Sequence, residues 1–158
     1  MTILITGSSG KTSSHLAQQL ASDGQDILVA SRSPKPNATY PTARFNWLDE
    51  STWSLPFSHE QAQKSPITAV YLVSPDLVLV GVDSNLISFV NFARQKGVKR
   101  FVLLSAWELP EGGPALGQDH AQLKALEKEG VEWAVVRPHF FMGIVIVFET
   151  CFNGLTLT

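Results

Sequence analysis

The sequence predicts an α/β protein built on a doubly wound parallel sheet, and three observations carry the prediction. Short runs rich in Val, Ile and Leu recur along the chain: TILI at 2–5, DILVA at 26–30, TAVYLV at 68–73, KRFVLL at 99–104 and VEWAVV at 131–136. Each reads as a strand buried on both faces. Stretches with apolar residues at helical spacing lie between these runs, and glycines at 24, 97 and 130 stand where those stretches end. Strand alternating with helix is the pattern of a parallel sheet, because parallel neighbours need a crossover.

The elements follow in order. After the first strand, Ser13 to Ser22 carries Leu16 and Leu20 at helical spacing. The second strand runs into a loop marked by Pro34, Pro36 and Pro41; Ser31 to Thr42 is the one stretch of linker composition, and a short strand, ARFN at 43–46, follows it. Ser84 to Lys96, with Leu86, Phe89, Val90 and Ala93, reads as a helix before the KRFVLL strand. Gln118 to Glu129, with Leu123 and Leu126, reads as a helix before the last strand. No internal repeat is visible.

Composition narrows the function. A chain of 158 residues with 44% hydrophobic content builds about one domain with one core. A net charge of −2 without any run of Lys or Arg provides no footprint for nucleic acid or an anionic membrane, which leaves small molecules or proteins as partners. The single cysteine, Cys151, has no internal disulfide partner, and MTILITG is strand-like without the basic start of a signal peptide; a cytoplasmic location is expected. The most apolar stretch, GIVIVF at 143–148, is far shorter than the roughly 20 residues of a membrane-spanning helix.

The chemistry concentrates in ITGSSGKTSS after the first strand. Gly10-Lys11-Thr12 has the ending of an ATP- or GTP-binding P-loop, but that motif needs a glycine five places before Gly10, where Ile5 stands inside the strand. Only Gly7, Ser8 and Ser9 separate Thr6 from Gly10, too few to wrap a phosphate as a P-loop does. Gly7-x-x-Gly10-x-x-Ser13 instead suits a dinucleotide pyrophosphate on a helix N-terminus, Gly7 making the turn, Gly10 admitting the phosphates and Ser13 standing where a third glycine is usual. A purely structural glycine turn is the alternative. The second strand ends in Ser31-Arg32-Ser33 with no carboxylate, so a 2′-phosphate pairing with the Arg32 fork is favoured and the expected cofactor is NADP(H) over NAD(H). Otherwise Arg32 only solvates a strand end.

In order, MTILITGSSGKTSSHLAQQL, DILVASRSP, ARFNWLDESTW, ITAVYLVSP, GVKRFVLLSA and VEWAVVRPHFFM resemble the NmrA-like atypical short-chain dehydrogenases, and most of all the fungal clavine (ergot alkaloid) dehydrogenases. The resemblance spans about residues 1–142 and implies a Rossmann-like domain there. It implies an NADPH-dependent reduction of an iminium in an indole alkaloid intermediate. It also implies a cofactor across the strand C-termini. Thr6, Gly7, Ser9, Gly10, Lys11 and Thr12 would lie near the pyrophosphate, Ser31, Arg32 and Ser33 near the 2′-phosphate, Asn46 and Trp47 near the adenine, and Val73, Ser74 and Pro75 along the nicotinamide ribose. Typical short-chain dehydrogenases use a Tyr-x-x-x-Lys pair; this chain has His120-x-x-x-Lys124 at that spacing and Ser105 at the end of the fifth strand. His120, Lys124 and Ser105 are the catalytic candidates, with solvated helix residues the alternative for the first two. No metal is expected.

Relatives of this kind continue well past Arg137-Pro138 into a substrate-binding region, which here is missing or replaced. Residues 143–158, GIVIVFETCFNGLTLT, are expected to be an atypical tail from a missed exon boundary or an alternative transcript, its apolar start covered by an added strand or a homodimer contact. Two other functions stay open: an NADP(H)-binding regulator without turnover, and a non-redox isomerase or cyclase on the same scaffold.

Overall fold

The computed structural model describes residues 1–74, 85–105, 121 and 123–138. Six strands form one sheet: β1 (Thr2–Ile5), β2 (Asp26–Ser31), β3 (Thr42–Arg44), β4 (Ile67–Leu72), β5 (Arg100–Leu104) and β6 (Glu132–Val136). Their spatial order is β3-β2-β1-β4-β5-β6, and every neighbouring pair is parallel. The chain therefore winds outward from β1 in one direction, returns, and winds outward from β4 in the other. Between β1 and β4 the direction of winding switches, and in open α/β sheets the crevice at such a switch is where ligands bind.

Alternation along the strands sorts the core into two layers. Ile3 and Ile5 of β1 pack with Leu16, Ala17 and Leu20 of helix α1 (Lys11–Ser22), whereas Leu4 faces the cluster containing Leu86, Phe89, Val90 and Ala93 of a later helix. All four β1 residues are buried, which is why TILI carries no polar alternation. The second layer holds the aromatic side chains. Phe89 lies edge-on to Phe45, Trp47 and Trp53 at centroid distances of 5.0, 5.3 and 5.5 Å. Each buried ring adds roughly 1.5–3 kcal/mol of apolar burial, with a further contribution from the edge-to-face geometry.

The strands match the sequence expectation to within a residue or two. β3 ends at Arg44, although its ladder is prolonged by the bond from Phe45 N–H to Ser31 C=O at 2.8 Å. Helix α1 begins two residues before the expected Ser13, with Gly10 as its N-cap. No element was expected between Trp47 and Pro66. There the chain makes a 3-10 turn (Glu50–Thr52) and two short helices, α2 (Leu55–Ser58) and α3 (Glu60–Lys64). Elements of three to five residues complete at most about one turn, so no apolar period betrays them. Helix α4 (Asn85–Gln95) precedes β5, and a 3-10 turn (Leu126–Glu129) precedes β6. The start of the helix expected from Gln118 and the tail at 143–158 lie outside the described residues.

Candidate dinucleotide site

At the switch point the C-terminal end of β1 is pinned to that of β4 by Thr6. Its N–H and its hydroxyl both reach Tyr71 C=O, at 3.0 and 2.9 Å. The same hydroxyl accepts from Val73 N–H at 2.8 Å, and Thr6 C=O accepts from the Ser13 hydroxyl at 2.8 Å. Thr6 and Ser13 are both buried. Thr6 was expected among the cofactor contacts, but its polar groups are spent on protein partners, and it sets the position of the loop. Ser13 does what a third glycine would do, bringing helix close to sheet, and adds a hydrogen bond.

The glycines answer to geometry. Gly7 has φ +69°, and a Cβ there would lie 2.8 Å from Val73 Cβ. Gly10 N–H donates to Gly7 C=O at 2.8 Å, closing the turn, and a Cβ on Gly10 would stand 3.1 Å from that same oxygen. Gly10 caps α1 from an extended conformation without a side-chain hydrogen bond, and the first turn holds no acidic residue. The opening N–H groups of a helix have no partner inside it, so this N-terminus suits a phosphate. Ser9 and Lys11 are exposed beside it and Thr12 is half-buried.

Thr12 also reaches inward. Tyr71, fully buried in β4, has its phenol pushed up to about 12 by burial, with neighbouring Thr12 acting in the opposite sense. The phenol therefore stays neutral beneath the first turn of α1. From sequence Tyr71 looked like an ordinary strand residue; only its register beside Ile5 places it under Thr12.

At the end of β2, Ser31 is half-buried and its hydroxyl accepts from Ser33 N–H at 3.3 Å. Arg32 and Ser33 are exposed, and no ion pair engages Arg32 among the described residues. Beyond β3 hydrogen bonds brace the Asn46 turn. Thr52 Oγ1 accepts from Asn46 N–H at 2.9 Å, Trp53 Nε1 donates to Asn46 C=O at 3.1 Å, and Asn46 Oδ1 accepts from Leu48 N–H at 3.2 Å. Trp47 is only 8% exposed and its ring packs against Phe45 and Phe89, so the ring belongs to the core and a contact with an adenine would come from the Trp47 backbone. Half-buried Asn46 is the member of the pair at the surface.

Half-buried Val73 follows β4 directly beside Gly7, and buried Ser74 comes next, while Pro75 lies outside the described residues. Ser105 is buried one residue past β5, its N–H donating to Val136 C=O at 2.9 Å. It thus shares the strand-end edge with the phosphate loop. Lys124 is exposed next to fully buried Leu123, and His120 lies outside the described residues. Among the described residues no group of His, Cys, Asp and Glu could hold a metal ion, and no helix is long and apolar enough to cross a membrane.

The sheet order, the glycine turn at the switch point and the open N-terminus of α1 define a Rossmann-like domain. Solved structures share the fold. A short-chain dehydrogenase/reductase superfamily protein from Agrobacterium tumefaciens with bound NAD matches at a TM-score of 0.63 and 19% identity, covering 87% of this chain and 48% of that one. A UDP-glucose 4-epimerase from Thermotoga maritima matches at a TM-score of 0.64 and 20% identity, over 87% and 55%. No family model matches the chain. Sequence relatives are far closer, and the chain is a homologue of the fungal clavine dehydrogenases. It is 43% identical over 142 residues to agroclavine dehydrogenase of Claviceps fusiformis, covering 90% of this chain and 47% of that protein. It is 44% identical over 145 residues to festuclavine synthase II of Penicillium roqueforti, over 90% and 48%. Festuclavine dehydrogenase easG of Aspergillus fumigatus is 42% identical over 146 residues. The chain thus spans about half the length of these relatives.

Proposed function

We propose that this chain is the cofactor-binding part of an NADP(H)-dependent oxidoreductase that reduces an iminium or related unsaturated bond in an indole alkaloid intermediate. The observation that carries the reading is the identity of 43–44% to agroclavine dehydrogenase and festuclavine synthase II across 90% of the chain. The site supports it independently. Gly7 has no room for a side chain and Gly10 little, in a turn at the mouth of a helix without a side-chain cap, which fits a pyrophosphate. Arg32 at the end of β2, with no carboxylate beside it, fits a 2′-phosphate.

When bound, NADPH supplies the hydride. The part played by the chain is to hold and orient the dinucleotide: N–H groups of the first α1 turn and Lys11 at the pyrophosphate, Arg32 with Ser31 and Ser33 at the 2′-phosphate, Asn46 at the adenine, and Val73 and Ser74 along the nicotinamide ribose. An iminium carbon accepts hydride without a proton at that carbon, so iminium reduction has no need of a tyrosine acid; Ser105, Lys124 and His120 remain the catalytic candidates. Binding is tested by titrating NADPH and NADH against the fluorescence of the four tryptophans. Arg32→Ala should weaken NADPH more than tenfold and NADH less than threefold, on the scale of a lost charge-assisted hydrogen bond. Oxidation of NADPH on addition of a clavine-type iminium tests the chemistry. Tight binding without that oxidation would instead favour a cofactor-responsive regulator.

A further inference from the structure

Arg44 was no part of the expected site, and the register of the sheet brings it there. Ser31 of β2 and Arg44 of β3 are directly paired, and side chains of directly paired residues in a parallel ladder lie on the same face. Burial identifies that face. Ala43 and Phe45 point into the aromatic layer with Leu28 and Ala30, whereas Ile27 and Val29 belong to the layer beneath α1. Ser31 and Arg44 therefore both project on the α1 side, at the strand-end edge where Gly10 opens the helix. Neighbouring strands lie about 4.8 Å apart, so an anion hydrogen-bonded by the Ser31 hydroxyl is within the span of the Arg44 side chain.

The surrounding charge is one-sided. Among residues 1–48 the cations are Lys11, Arg32, Lys35 and Arg44, and the only carboxylates are Asp23 and Asp26. Asp23 caps the far end of α1, and Asp26, 3.8 Å from the terminal ammonium of Met1, begins β2 at the opposite edge of the sheet. The next acids do not neutralise the cluster: Asp49 accepts from Ser51 N–H and Ser51 Oγ, and Glu50 makes no ion pair among the described residues. Arg44 is exposed and likewise without an ion pair among them. Half-buried Ser31 thus has Arg44 paired with it on the neighbouring strand and Arg32 next to it in the chain, with Lys35 in the loop that follows, and none of the three cations is in an ion pair among the described residues.

We infer that Arg44 is a second specificity-determining residue, which with Arg32 clamps the 2′-phosphate of NADP(H) from the neighbouring strand. The inference rests on the NADP(H) reading and deepens it. A 2′-phosphate carries close to two negative charges near neutral pH, and one guanidinium leaves roughly half of that unmatched. Arg44 supplies the balance from a rigid edge strand, while Arg32 approaches from the loop.

The test separates the inference from the reading beneath it. Adenosine 2′,5′-bisphosphate and 5′-AMP differ only by the 2′-phosphate, and their dissociation constants are measured by titration calorimetry against wild type, Arg32→Ala, Arg44→Met and Arg44→Lys, each checked for an unchanged melting temperature. Arg44→Met should weaken the bisphosphate about tenfold and AMP less than twofold, and should flatten the salt dependence of bisphosphate binding. Arg44→Lys should recover part of the loss, the charge being kept and the planar fork lost. If Arg32→Ala reduces the preference for the bisphosphate while Arg44→Met leaves it intact, the inference fails and the reading stands; Arg44 is then an edge-strand charge of the kind that discourages sheet-to-sheet pairing. If wild type does not prefer the bisphosphate to AMP, both fail.

Discussion

Replacing Gly7 by alanine is expected to cost about 3 kcal/mol of stability, of which roughly 1 comes from the backbone and roughly 2 from a single contact. The backbone part follows from φ +69°, a left-handed conformation that alanine adopts with strain. The contact part follows from Val73, whose Cβ would be 2.8 Å from the added methyl. Val73 cannot swing its Cβ away by changing rotamer, and its N–H is held by Thr6 Oγ1 at 2.8 Å, so the backbone itself must give. Gly24 supplies the control. It has φ +72° at the end of α1, yet a Cβ there would meet nothing within 4 Å. Gly24→Ala should therefore lose only the backbone part. Urea unfolding of both variants followed by tryptophan fluorescence should separate them by about 2 kcal/mol, and the Gly7 variant should melt roughly 10 °C below wild type. Equal losses at the two positions would refute the argument that the phosphate turn is shaped by contact with the strand-four loop. Because the same displacement opens the pyrophosphate turn, NADPH affinity should fall in Gly7→Ala and hold in Gly24→Ala.

Three further outcomes can be checked. Tyr71 has a phenol raised from 10.0 to about 12, so between those values the unfolded chain releases a proton that the native state keeps. Its contribution is intact below pH 10 and is lost as pH rises to 12, by roughly 3 kcal/mol. Denaturant titrations should show this decline in wild type relative to Tyr71→Phe, and parallel pH profiles for the two would sink the assignment. Thr52→Val should cost about 1–3 kcal/mol by removing the acceptor for Asn46 N–H and the donor to Asp49 C=O, whereas Thr52→Ser should melt close to wild type. For cofactor choice, the Arg32→Ala ratio of NADPH to NADH affinity decides, and equal weakening of both would remove Arg32 from the 2′-phosphate.

What could be read early was whatever a strand or helix repeats along itself. TILI, DILVA and their counterparts announced strands buried on both faces, and the glycines at 24, 97 and 130 announced where the intervening stretches stop. The stretch from Glu50 to Lys64 stayed hidden because its elements are held by local bonds, such as Ser51 N–H to Asp49 Oδ1 and Gln61 N–H to His59 Nδ1, that no hydrophobic period records. At the site, the glycine spacing and Arg32 were legible because a phosphate makes demands on neighbouring residues. The direction of the Trp47 ring was not, since FNW alone does not say which face of the sheet meets α4.

The sequence by itself determined the alternation of strand and helix, the dinucleotide turn at Gly7-x-x-Gly10 and the absence of a carboxylate after β2, all properties of residues close together in the chain. Only the tertiary structure decided that Thr6 and Val73 lock the two halves of the sheet, that Tyr71 lies under Thr12 and that Arg44 stands beside Ser31. Each of those joins residues 13 to 67 positions apart. Such contacts depend on strand order and register, and a parallel sheet sets both through its crossovers and core packing rather than through any local signal.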